Sequence, residues 1–571
     1  MLPSATTPLL AKAFQLHQAG RLAEAAALYH DVLRERPENA AALNNLGALQ
    51  LQMGAAAAAV DTLSILVTLQ PGDPVGYSNL GHALMQANRA AEAEAPLRQA
   101  IALDPGFAQA HNHLGMALAI LDRPDDAATA FDRALALEPA FVEAARNLGQ
   151  TMNDAGDGPR AAAAYEAWLR VDPANPQALA GLSLADAIQG RLDSAIAALE
   201  QLTLVHQNDA AVWQTLGLIR YWDGRLDEAE TAAHRVLALQ PGSREAPFLV
   251  AGSTLGRGDY RNGWREFERR AEGSLGESLR FSALPHWDGT ALPGRLLLYG
   301  EQGLGDVVQF SRFVPLAKER VGSIVLLLDQ HWATLAPLLA SLSGIDAIVT
   351  DPAELGLAGG APIAARASIL SLPYLLDNEV ATIPNKVPYL RAPPDDVVAW
   401  AHRLGGARAL RVGVTWTVYA RPRNGYVTRQ RTVPFALIAR LLDVPGTAFV
   451  SLQVGLPSEA ARDLAAAGRL FDPTPDLHNF GDTAALIENL DLVISADTSV
   501  AHVAGALGKP VWMLDRYNSC WRWRLSASES PWYPTMRIFR QPRLGDWDTV
   551  TRQVASELNR YVQSSGTRDG A

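Results

Sequence analysis

The stretch "NNLGALQLQMGAAAAAVDTLSILVTLQPGDPVGYSNLG", residues 44–81, begins and ends on nearly the same four letters, 34 residues apart. The register holds for seven cycles and defines an alanine column of Ala25, Ala59, Ala93, Ala127, Ala161, Ala195 and Ala229. A proline column has the same period at Pro37, Pro71, Pro105, Pro139, Pro173 and Pro241, with Gln207 as the one exception. Small residues let helices approach closely, and a proline ends a helix. The two columns therefore predict a repeating pair of helices.

Helix pairs with this period resemble tetratricopeptide repeats, and the resemblance extends over residues 5–272. One pair cannot bury its apolar face alone, so the pairs are expected to stack into an all-α superhelix. Its groove, lined mainly by the first helix of each pair, would bind extended polypeptide. The segment "GRGDYRNGWREFERR", residues 256–270, keeps the helical pattern and adds aromatic residues. We interpret it as a cap that joins the array to the next domain.

One further column of the repeat is polar and would line this groove. It contains Asn45, Asn79, His113 and Asn147, and each of these residues precedes a Leu-Gly pair. The pattern is similar to the asparagine ladder in the repeats of protein O-GlcNAc transferases, where side-chain amides bind the backbone of a threaded peptide. Gly181 and Thr215 interrupt the column. The alternative is that these side chains only satisfy local backbone groups.

The composition limits the function classes. The 571 residues carry a formal net charge of −11, and 48% are hydrophobic. This balance is typical of a soluble chain with several domains and argues against broad binding of nucleic acid. The single cysteine, Cys520, excludes an internal disulfide and a cysteine-based zinc site. The sequence has no apolar run long enough to span a membrane and no secretory pattern, so we expect a cytoplasmic protein.

The second half of the sequence alternates short β-rich runs with segments of helix length, which is typical of parallel α/β units. The runs lie at residues 296–299, 324–328, 347–350, 369–372, 411–415, 448–452, 492–495 and 511–514. A proline-rich polar break near residue 392 divides this half into two doubly wound lobes, residues 285–391 and 392–560. Ligands of such sheets bind beyond the carboxyl ends of the strands. The cleft between the lobes is therefore the expected site of chemistry.

The first lobe contains a strand-to-helix junction at "GEQGLGDVVQFSRF", residues 300–313. Gly303 and Gly305, which follow Gln302, allow a backbone turn that a side chain would obstruct. Asp306 stands where the next helix begins. It is either a helix N-cap or a carboxylate at the edge of the cleft that accepts a proton from an acceptor hydroxyl.

The second lobe contains a matching junction at "LVISADTSVAHVAGALGKPVWML", residues 492–514. Asp497, Thr498 and Ser499 are typical residues of a helix start, and exposed amides at such a start can bind a phosphate. His502 falls in the first turn, where we expect it to stay neutral and to bind a phosphate or sugar oxygen. The alternative is a structural histidine.

Two further segments of the second lobe are rich in arginine. The loop "TVYARPRNGYVTRQRT", residues 417–432, contains four arginines that could neutralise a leaving nucleotide or simply face solvent: Arg421, Arg423, Arg429 and Arg431. The tail contains Trp521, Trp523, Trp532, Tyr533 and Trp547 among arginines. These aromatic residues would form an acceptor or sugar platform, or pack the C-terminal helix back onto the first lobe.

Together the two junctions resemble the glycosyltransferase family that includes the lipopolysaccharide heptosyltransferases, which adopt the two-lobed GT-B fold. The resemblance rests on Leu304-Gly305-Asp306 and on the pattern Asp497-Thr498-x-x-x-His502 followed by Gly508-x-Pro510. It implies that Asp306 is the general base of an inverting transfer without a metal ion or other cofactor. The residues that would hold the nucleotide-sugar donor are Asp497, Thr498, Ser499, His502, Arg429, Arg431 and Trp416. Thr417-Val418 after Trp416 departs from the family pattern and leaves the donor open.

A repeat array joined to such a catalytic half resembles the bacterial flagellin glycosyltransferases. The resemblance implies that the repeats capture a protein such as flagellin and that serine or threonine receives the sugar. It also implies a donor such as a CMP-nonulosonic acid. Two alternatives remain: a heptosyltransferase-like enzyme with a lipid or saccharide acceptor, and a repeat adaptor without catalytic activity.

Overall fold

The computed structural model describes residues 6–270, 281, 283–356, 362–406, 409–418, 425–456, 458–525 and 527–566. Its described residues up to 270 form helices in consecutive pairs. They are α1 Thr6–Gln18, α2 Leu22–Glu35, α3 Ala40–Gln52, α4 Ala56–Leu69, α5 Pro74–Gln86, α6 Ala90–Leu103, α7 Ala108–Ile120, α8 Pro124–Leu137, α9 Val142–Ala155, α10 Gly158–Val171, α11 Pro176–Ile188, α12 Leu192–Val205, α13 Ala210–Trp222, α14 Leu226–Leu239, α15 Ala246–Arg257 and α16 Tyr260–Glu268.

The repeat columns explain how each pair forms. The proline column lies just after the second helix of a pair, and an N-cap often follows two residues later, as Asp73 does after Pro71. The carboxylate of Asp73 accepts a hydrogen bond from the backbone N–H of Val75 at 3.0 Å and so begins α5. Within the pair, a Cβ atom at Gly81 would lie 2.4 Å from Cγ of Leu97. Only glycine permits this close approach, which explains the Leu-Gly column.

The compact units of the chain do not divide where the sequence suggested. Residues up to Leu202 form one unit, and a second unit begins at Thr203 and includes both α/β lobes. Trp264 and Phe267 of α16 belong to the same buried cluster as Phe310 of the first lobe. The boundary predicted at residue 272 therefore passes through a packed region, because the last helices of the array bury their apolar face against the first lobe.

The first lobe is a four-stranded parallel sheet with the order β3-β2-β1-β4. Its strands are β1 Leu292–Tyr299, β2 Val321–Leu327, β3 Ala347–Val349 and β4 Ile363–Ser368. Its helices are α17 Leu304–Phe310, α18 Val314–Lys318, α19 Ala336–Leu339 and α20 Leu372–Leu375.

The second lobe is a five-stranded parallel sheet with the order β6-β5-β7-β8-β9. Its strands are β5 Leu410–Thr415, β6 Thr447–Ser451, β7 Leu492–Ala496, β8 Val511–Asp515 and β9 Met536–Arg540. Its helices are α21 Pro394–Leu404, α22 Gly425–Arg431, α23 Phe435–Ala439, α24 Glu459–Ala466, α25 Phe480–Glu488, α26 Ser499–Ala506 and α27 Trp547–Gly566. The C-terminal helix α27 buries Val550, Val554 and Leu558 in the core of this lobe. The expectation that it packs back onto the first lobe is therefore wrong.

Seven of the eight predicted strand runs lie on observed strands. The run at 369–372 is wrong, because Ile369–Ser371 is a 3₁₀ helix and the strand β4 precedes it. The sequence of β4, "IAARAS", contains three alanines and an arginine, which are weak strand formers, whereas "ILSL" is apolar and resembles a buried strand. The strand β9 is a further element that the sequence pattern does not predict.

Candidate functional site

The strand orders identify where a ligand would bind. In an open parallel sheet, the binding crevice lies beyond the carboxyl ends of the strands at the point where the order reverses. In the first sheet this point lies between β1 and β4, and the loop after β1 leads to Asp306. In the second sheet it lies between β5 and β7, and Asp497 directly follows β7. Both predicted junctions therefore lie at reversal points of their sheets.

The two junctions also adjoin each other, because α17 packs against α26. A Cβ atom at Gly305 would lie 2.8 Å from Cδ2 of His502 and 3.4 Å from Cα of Ser499. Gly305 is therefore required by the close approach of the two helices. The structure meets the spatial condition for a shared site, since the carboxylate of the first lobe and the helix start of the second lie next to each other.

Asp306 is not the N-cap of its helix. Gly303 is the N-cap, and Oδ2 of Asp306 accepts a hydrogen bond from the backbone N–H of Gly303 at 2.9 Å. The lack of a side chain at Gly303 lets the carboxylate approach, since a Cβ atom there would lie 2.9 Å from Oδ2. The positive φ of the turn, 59°, is at Gln302 and not at either predicted glycine. Local sequence could not show this, because glutamine rarely adopts that conformation.

The second oxygen of Asp306 is paired with Arg522, a residue that the sequence reasoning did not select. Oδ1 of Asp306 accepts a hydrogen bond from Nη2 of Arg522 at 2.5 Å. The same guanidinium donates from Nε to Oε1 of Gln309 at 2.9 Å and lies 4.3 Å from the ring centre of Trp521. Burial opposes the charge of Arg522 and is the largest single effect, but Asp306, Cys520 and Asp497 together raise its pKa above the usual value.

A buried ion pair holds the segment that carries Arg522. Asp515 ends β8, and its Oδ2 accepts from Nε of Arg540, which ends β9, at 2.7 Å. Arg540 also donates from Nη2 to the carbonyl of Trp523 at 3.1 Å and from Nη1 to the carbonyl of Leu525. Burial raises the pKa of Asp515 although Arg540 opposes the shift. The pair of Asp515 and Arg540 therefore fixes the backbone just after Arg522, at Trp523 and Leu525.

Asp497 lies between the end of β7 and the start of α26 and is paired with Arg431. Nε of Arg431 lies 3.3 Å from Oδ2 of Asp497, and Nη2 donates to the backbone carbonyl of the same residue. Burial alone would raise the pKa of Asp497 and is the largest single effect, but Arg431, His502, Arg516 and Arg522 together outweigh it and hold this pKa below the usual value. Thr498 is the N-cap and makes no side-chain cap, because its hydroxyl lies 3.2 Å from Oγ of Ser495. The first-turn amides from Ser499 onward therefore have no side-chain cap from Thr498.

His502 is buried and neutral. Its Nδ1 lies 3.0 Å from the hydroxyl of Tyr533, and its ring lies over Trp523 with the centroids 5.4 Å apart. Burial lowers the pKa of His502 to about 4, although Asp497 and Asp306 oppose the shift. The expectation of a neutral imidazole agrees with this direction.

This shift predicts a pH dependence of stability. The folded-state pKa lies below the ordinary value, so the unfolded chain binds the proton more readily and acidification destabilises the fold. From about pH 7.5 to about pH 5, we expect wild type to lose about 2 kcal/mol that His502→Gln does not lose. The measurement is the free energy of unfolding of both proteins at the two pH values. The exposed His478, changed to glutamine, is the control for the loss of a histidine elsewhere in the same lobe.

The remaining predicted donor residues separate into three groups. Arg429 is exposed, and Arg421 and Arg423 lie outside the described residues. The predicted donor contact of Trp416 is wrong, because its side chain is 1% exposed and lies in the core of the second lobe with Phe435, at a centroid distance of 4.9 Å. At the carboxyl end of β5, the side chain next to the backbone is that of Gln453, whose Oε1 accepts a hydrogen bond from the N–H of Thr417 at 3.1 Å.

The aromatic tail does not form a binding platform. Trp521, Trp523, Trp532 and Tyr533 are all buried. Trp521 and Trp532 lie in one cluster with Trp264 of α16, at centroid distances of 5.2 and 6.5 Å. These residues therefore connect the last helices of the array to the α/β lobes, and the connection runs through the segment before β9 and not through the C-terminal helix.

The polar column of the repeats forms a regular hydrogen-bond network between neighbouring repeats. Nδ2 of Asn79 donates to Oδ1 of Asn44 at 2.8 Å, and Nδ2 of Asn147 donates to Oδ1 of Asn112 at 3.1 Å. Each bond spans 35 residues, so each joins one repeat to the next. Asn79 and Asn147 remain half-buried, as does Asn45. One N–H of Asn79 and one of Asn147 are therefore used within the array, by side chains of the preceding repeat and not by the local backbone groups that the alternative named.

His113 departs from the prediction for this column. Its ring is 4% exposed, its Nδ1 lies 2.9 Å from Oγ of Ser78, and its Nε2 lies 2.8 Å from Nε2 of Gln109. Burial, together with the neighbouring His82, lowers its pKa to about 4. A ring with both nitrogens occupied has no group left for a peptide backbone, so the predicted contact at this position is wrong.

Family models match both halves of the chain. Two tetratricopeptide repeat models match residues 16–80 and 152–219, and residues 78–140 and 121–177. The model of glycosyltransferase family 9 (heptosyltransferase) matches residues 473–553, which include Asp497, His502 and Arg522. The fold and these matches define the class: a tetratricopeptide-repeat protein with a heptosyltransferase-like glycosyltransferase domain. The class and the fold predicted from the sequence are thereby confirmed.

Within this class, the chain is similar to Protein FlbA of Caulobacter vibrioides, with 30% identity over 349 residues. The match covers 57% of this chain and 57% of that protein, so the chain spans little more than half the length of this curated relative.

Two solved structures resemble the repeats. A tetratricopeptide repeat protein from Parabacteroides merdae is 16% identical, with a TM-score of 0.37, and the match covers 43% of this chain and 98% of that one. A thermophilic repeat protein from Thermus thermophilus is 26% identical, with a TM-score of 0.28, over 34% of this chain and 100% of that one. Within the described ranges, none of the helices combines the length and the apolar character that a membrane crossing needs.

Proposed function

We propose that the protein is an inverting protein O-glycosyltransferase that moves a sugar from a nucleotide sugar to a serine or threonine hydroxyl. The observation that carries this proposal is the meeting of Asp306 with the start of α26, beside Arg522. A carboxylate, a cation and a helix N-terminus are the groups that such a transfer requires at one point.

The chemistry assigns one role to each group. The acceptor oxygen attacks the anomeric carbon and its proton passes to Asp306, while the bond from that carbon to the phosphate oxygen breaks. The phosphate leaves with the electron pair, and the amides of α26 and the guanidinium of Arg522 stabilise its charge. Because the displacement is a single step, the configuration of the sugar inverts. Neutral His502 is placed to hold a sugar or phosphate oxygen through Nε2, and the proposal needs no metal ion or other cofactor.

The proposed acceptor is a protein held by the repeats, in the cytoplasm. Repeat grooves of this class bind extended polypeptide, and Asn45, Asn79 and Asn147 are accessible enough to take part. The resemblance to flagellin glycosyltransferases favours flagellin as this protein and a CMP-nonulosonic acid as the donor.

The direct test is intact-mass analysis of flagellin and of cell glycolipids from cells with and without this protein. A mass shift on flagellin that depends on the protein supports the proposal. A shift confined to glycolipids would favour a lipid or saccharide acceptor, and no nucleotide-sugar turnover with any acceptor would favour the adaptor.

Acceptor binding by the groove can be tested separately from the stability of the repeats. Asn79→Ala with Asn147→Ala should raise the KM for the protein acceptor about tenfold, because it removes two amides that would bind peptide. Asn44→Ala with Asn112→Ala is the matched control, since it removes the same two hydrogen bonds between repeats but keeps Asn79 and Asn147. Initial rates at varied acceptor concentration measure the effect, and equal KM values for the two double variants would exclude the asparagines from acceptor binding.

A further inference from the structure

Two arginine–aspartate pairs flank the N-terminus of α26. Arg522 binds the candidate base Asp306, and Arg431 binds Asp497. The side chains of Asp306 and Arg522 are 21% and 13% exposed, so mobile ions screen their attraction only weakly. A site that has to receive a leaving phosphate thus already contains two cations, and each of them is bound by a carboxylate of the protein.

The pair between Asp306 and Arg522 occupies the oxygen that the reaction needs. Oδ2 of Asp306 is held by the N–H of Gly303, and Oδ1 is held by Nη2 of Arg522. A carboxylate oxygen has two lone pairs, so Oδ1 keeps one acceptor site, and an acceptor hydroxyl reaches it most readily when Arg522 releases it.

The partners of Arg522 indicate which of its bonds an incoming anion would replace. Nε donates to the amide oxygen of Gln309, and Nη1 donates to Sγ of Cys520 at 3.1 Å. Of the three bonds, the one from Nη2 engages a carboxylate. A phosphate offers a guanidinium two oxygens in a matching geometry and carries at least the charge of a carboxylate. A bound phosphate can therefore compete with Asp306 for Arg522.

We infer that Arg522 is exchanged between two anions: Asp306 in the donor-free protein, and the leaving phosphate of the nucleotide sugar in the donor complex. This inference rests on the proposed function. Capture of Arg522 by the phosphate frees Oδ1 of Asp306, so the base is more accessible when a donor is bound. Binding of the donor consequently favours deprotonation of the acceptor hydroxyl.

The test is a double-mutant cycle on nucleotide affinity in the full-length protein. Calorimetric titration with CMP, UDP, GDP and ADP first selects the nucleotide that wild type binds most tightly. Asp306→Asn should bind this nucleotide about tenfold more tightly than wild type, because Arg522 loses its competing carboxylate. Arg522→Gln should bind it about tenfold more weakly, and adding Asp306→Asn to Arg522→Gln should give no gain.

Arg524→Gln is the matched control, because it makes the same charge change at an exposed position of the same segment and should leave the affinity unchanged. Unchanged affinity in Asp306→Asn, or a gain that persists in the double variant, would overturn the exchange. A wild-type protein that binds nucleotide and follows the cycle but glycosylates no acceptor would refute the proposed function alone. A wild-type protein that binds no nucleotide would refute both.

Discussion

Replacing Asp306 by asparagine should lower the rate of glycosyl transfer by about 10³-fold, the range expected for loss of a positioned general base. Asparagine keeps an oxygen that can accept the hydrogen bond from the N–H of Gly303, so the start of α17 should remain intact. The substitution therefore removes the proton acceptor and keeps the local fold. The measurement is the single-turnover rate at saturating donor and acceptor.

The control for this experiment is Asp351→Asn in the same lobe. Oδ1 of Asp351 accepts the backbone N–H of Ala353 at 2.9 Å, so the substitution makes the same chemical change at a comparable backbone contact. Asp351 is exposed and distant in sequence from both junctions, and its variant should transfer sugar at the wild-type rate. If Asp306→Asn also transferred at the wild-type rate, Asp306 would not be the base, and the acceptor proton would have to leave by another route.

The variants Asp306→Asn and Arg522→Gln separate the role of the base from that of the cation paired with it. Asp306→Asn should slow transfer about 10³-fold while nucleotide affinity rises, whereas Arg522→Gln should weaken both. A residue that only supported the fold would not produce opposite changes in the two measurements.

The sequence predicted the parts of this site that depend on local patterns. Asp306 and His502 lie in short junctions where glycines, cap residues and apolar runs follow each other in a recognisable order. Parallel strands then place both junctions at the carboxyl edges of their sheets. The prediction that the two lobes meet at these junctions followed from this topology and from the family resemblance.

The partners of those residues could not be predicted in the same way. Arg522 is far from Asp306 in the sequence, and it lies in a segment rich in arginine and tryptophan that has no helix or strand period. Its position depends on the pair of Asp515 and Arg540 at the ends of two neighbouring strands, one of which was not predicted. Such pairs are set by tertiary packing, and no spacing rule relates their members.

The packing of the last repeat helices could not be predicted for a related reason. The repeat period identifies helices up to α16, but it does not say which face of the last pair is covered by another domain. The unusual aromatic content of residues 256–270 was the available signal, and it is explained by the packing of Tyr260 and Trp264 against the α/β lobes.

Trp264→Ala should destabilise the second unit by about 3–5 kcal/mol, because it removes a large side chain that is buried on all sides. Trp264 is 1% exposed, and its ring contacts those of Tyr260, Phe310 and Trp521 at centroid distances of 5.4, 5.8 and 5.2 Å. These partners belong to α16, to α17 and to the segment that carries Arg522. A cavity at their junction would loosen the contact between Arg522 and Asp306, so transfer should fall together with stability.

The matched control is Phe248→Ala on the neighbouring helix α15, where the aromatic side chain is 48% exposed. This variant should change stability by less than about 1 kcal/mol, since an exposed side chain loses little buried area. Urea denaturation followed by circular dichroism measures both variants. If Trp264→Ala were no more harmful than Phe248→Ala, α15 and α16 would be dispensable for the lobes, and a protein that begins after residue 270 should fold. We expect the opposite, because the ring of Trp264 joins the last helices of the array to the helix that holds Asp306, and its loss would expose the apolar surface that these elements share.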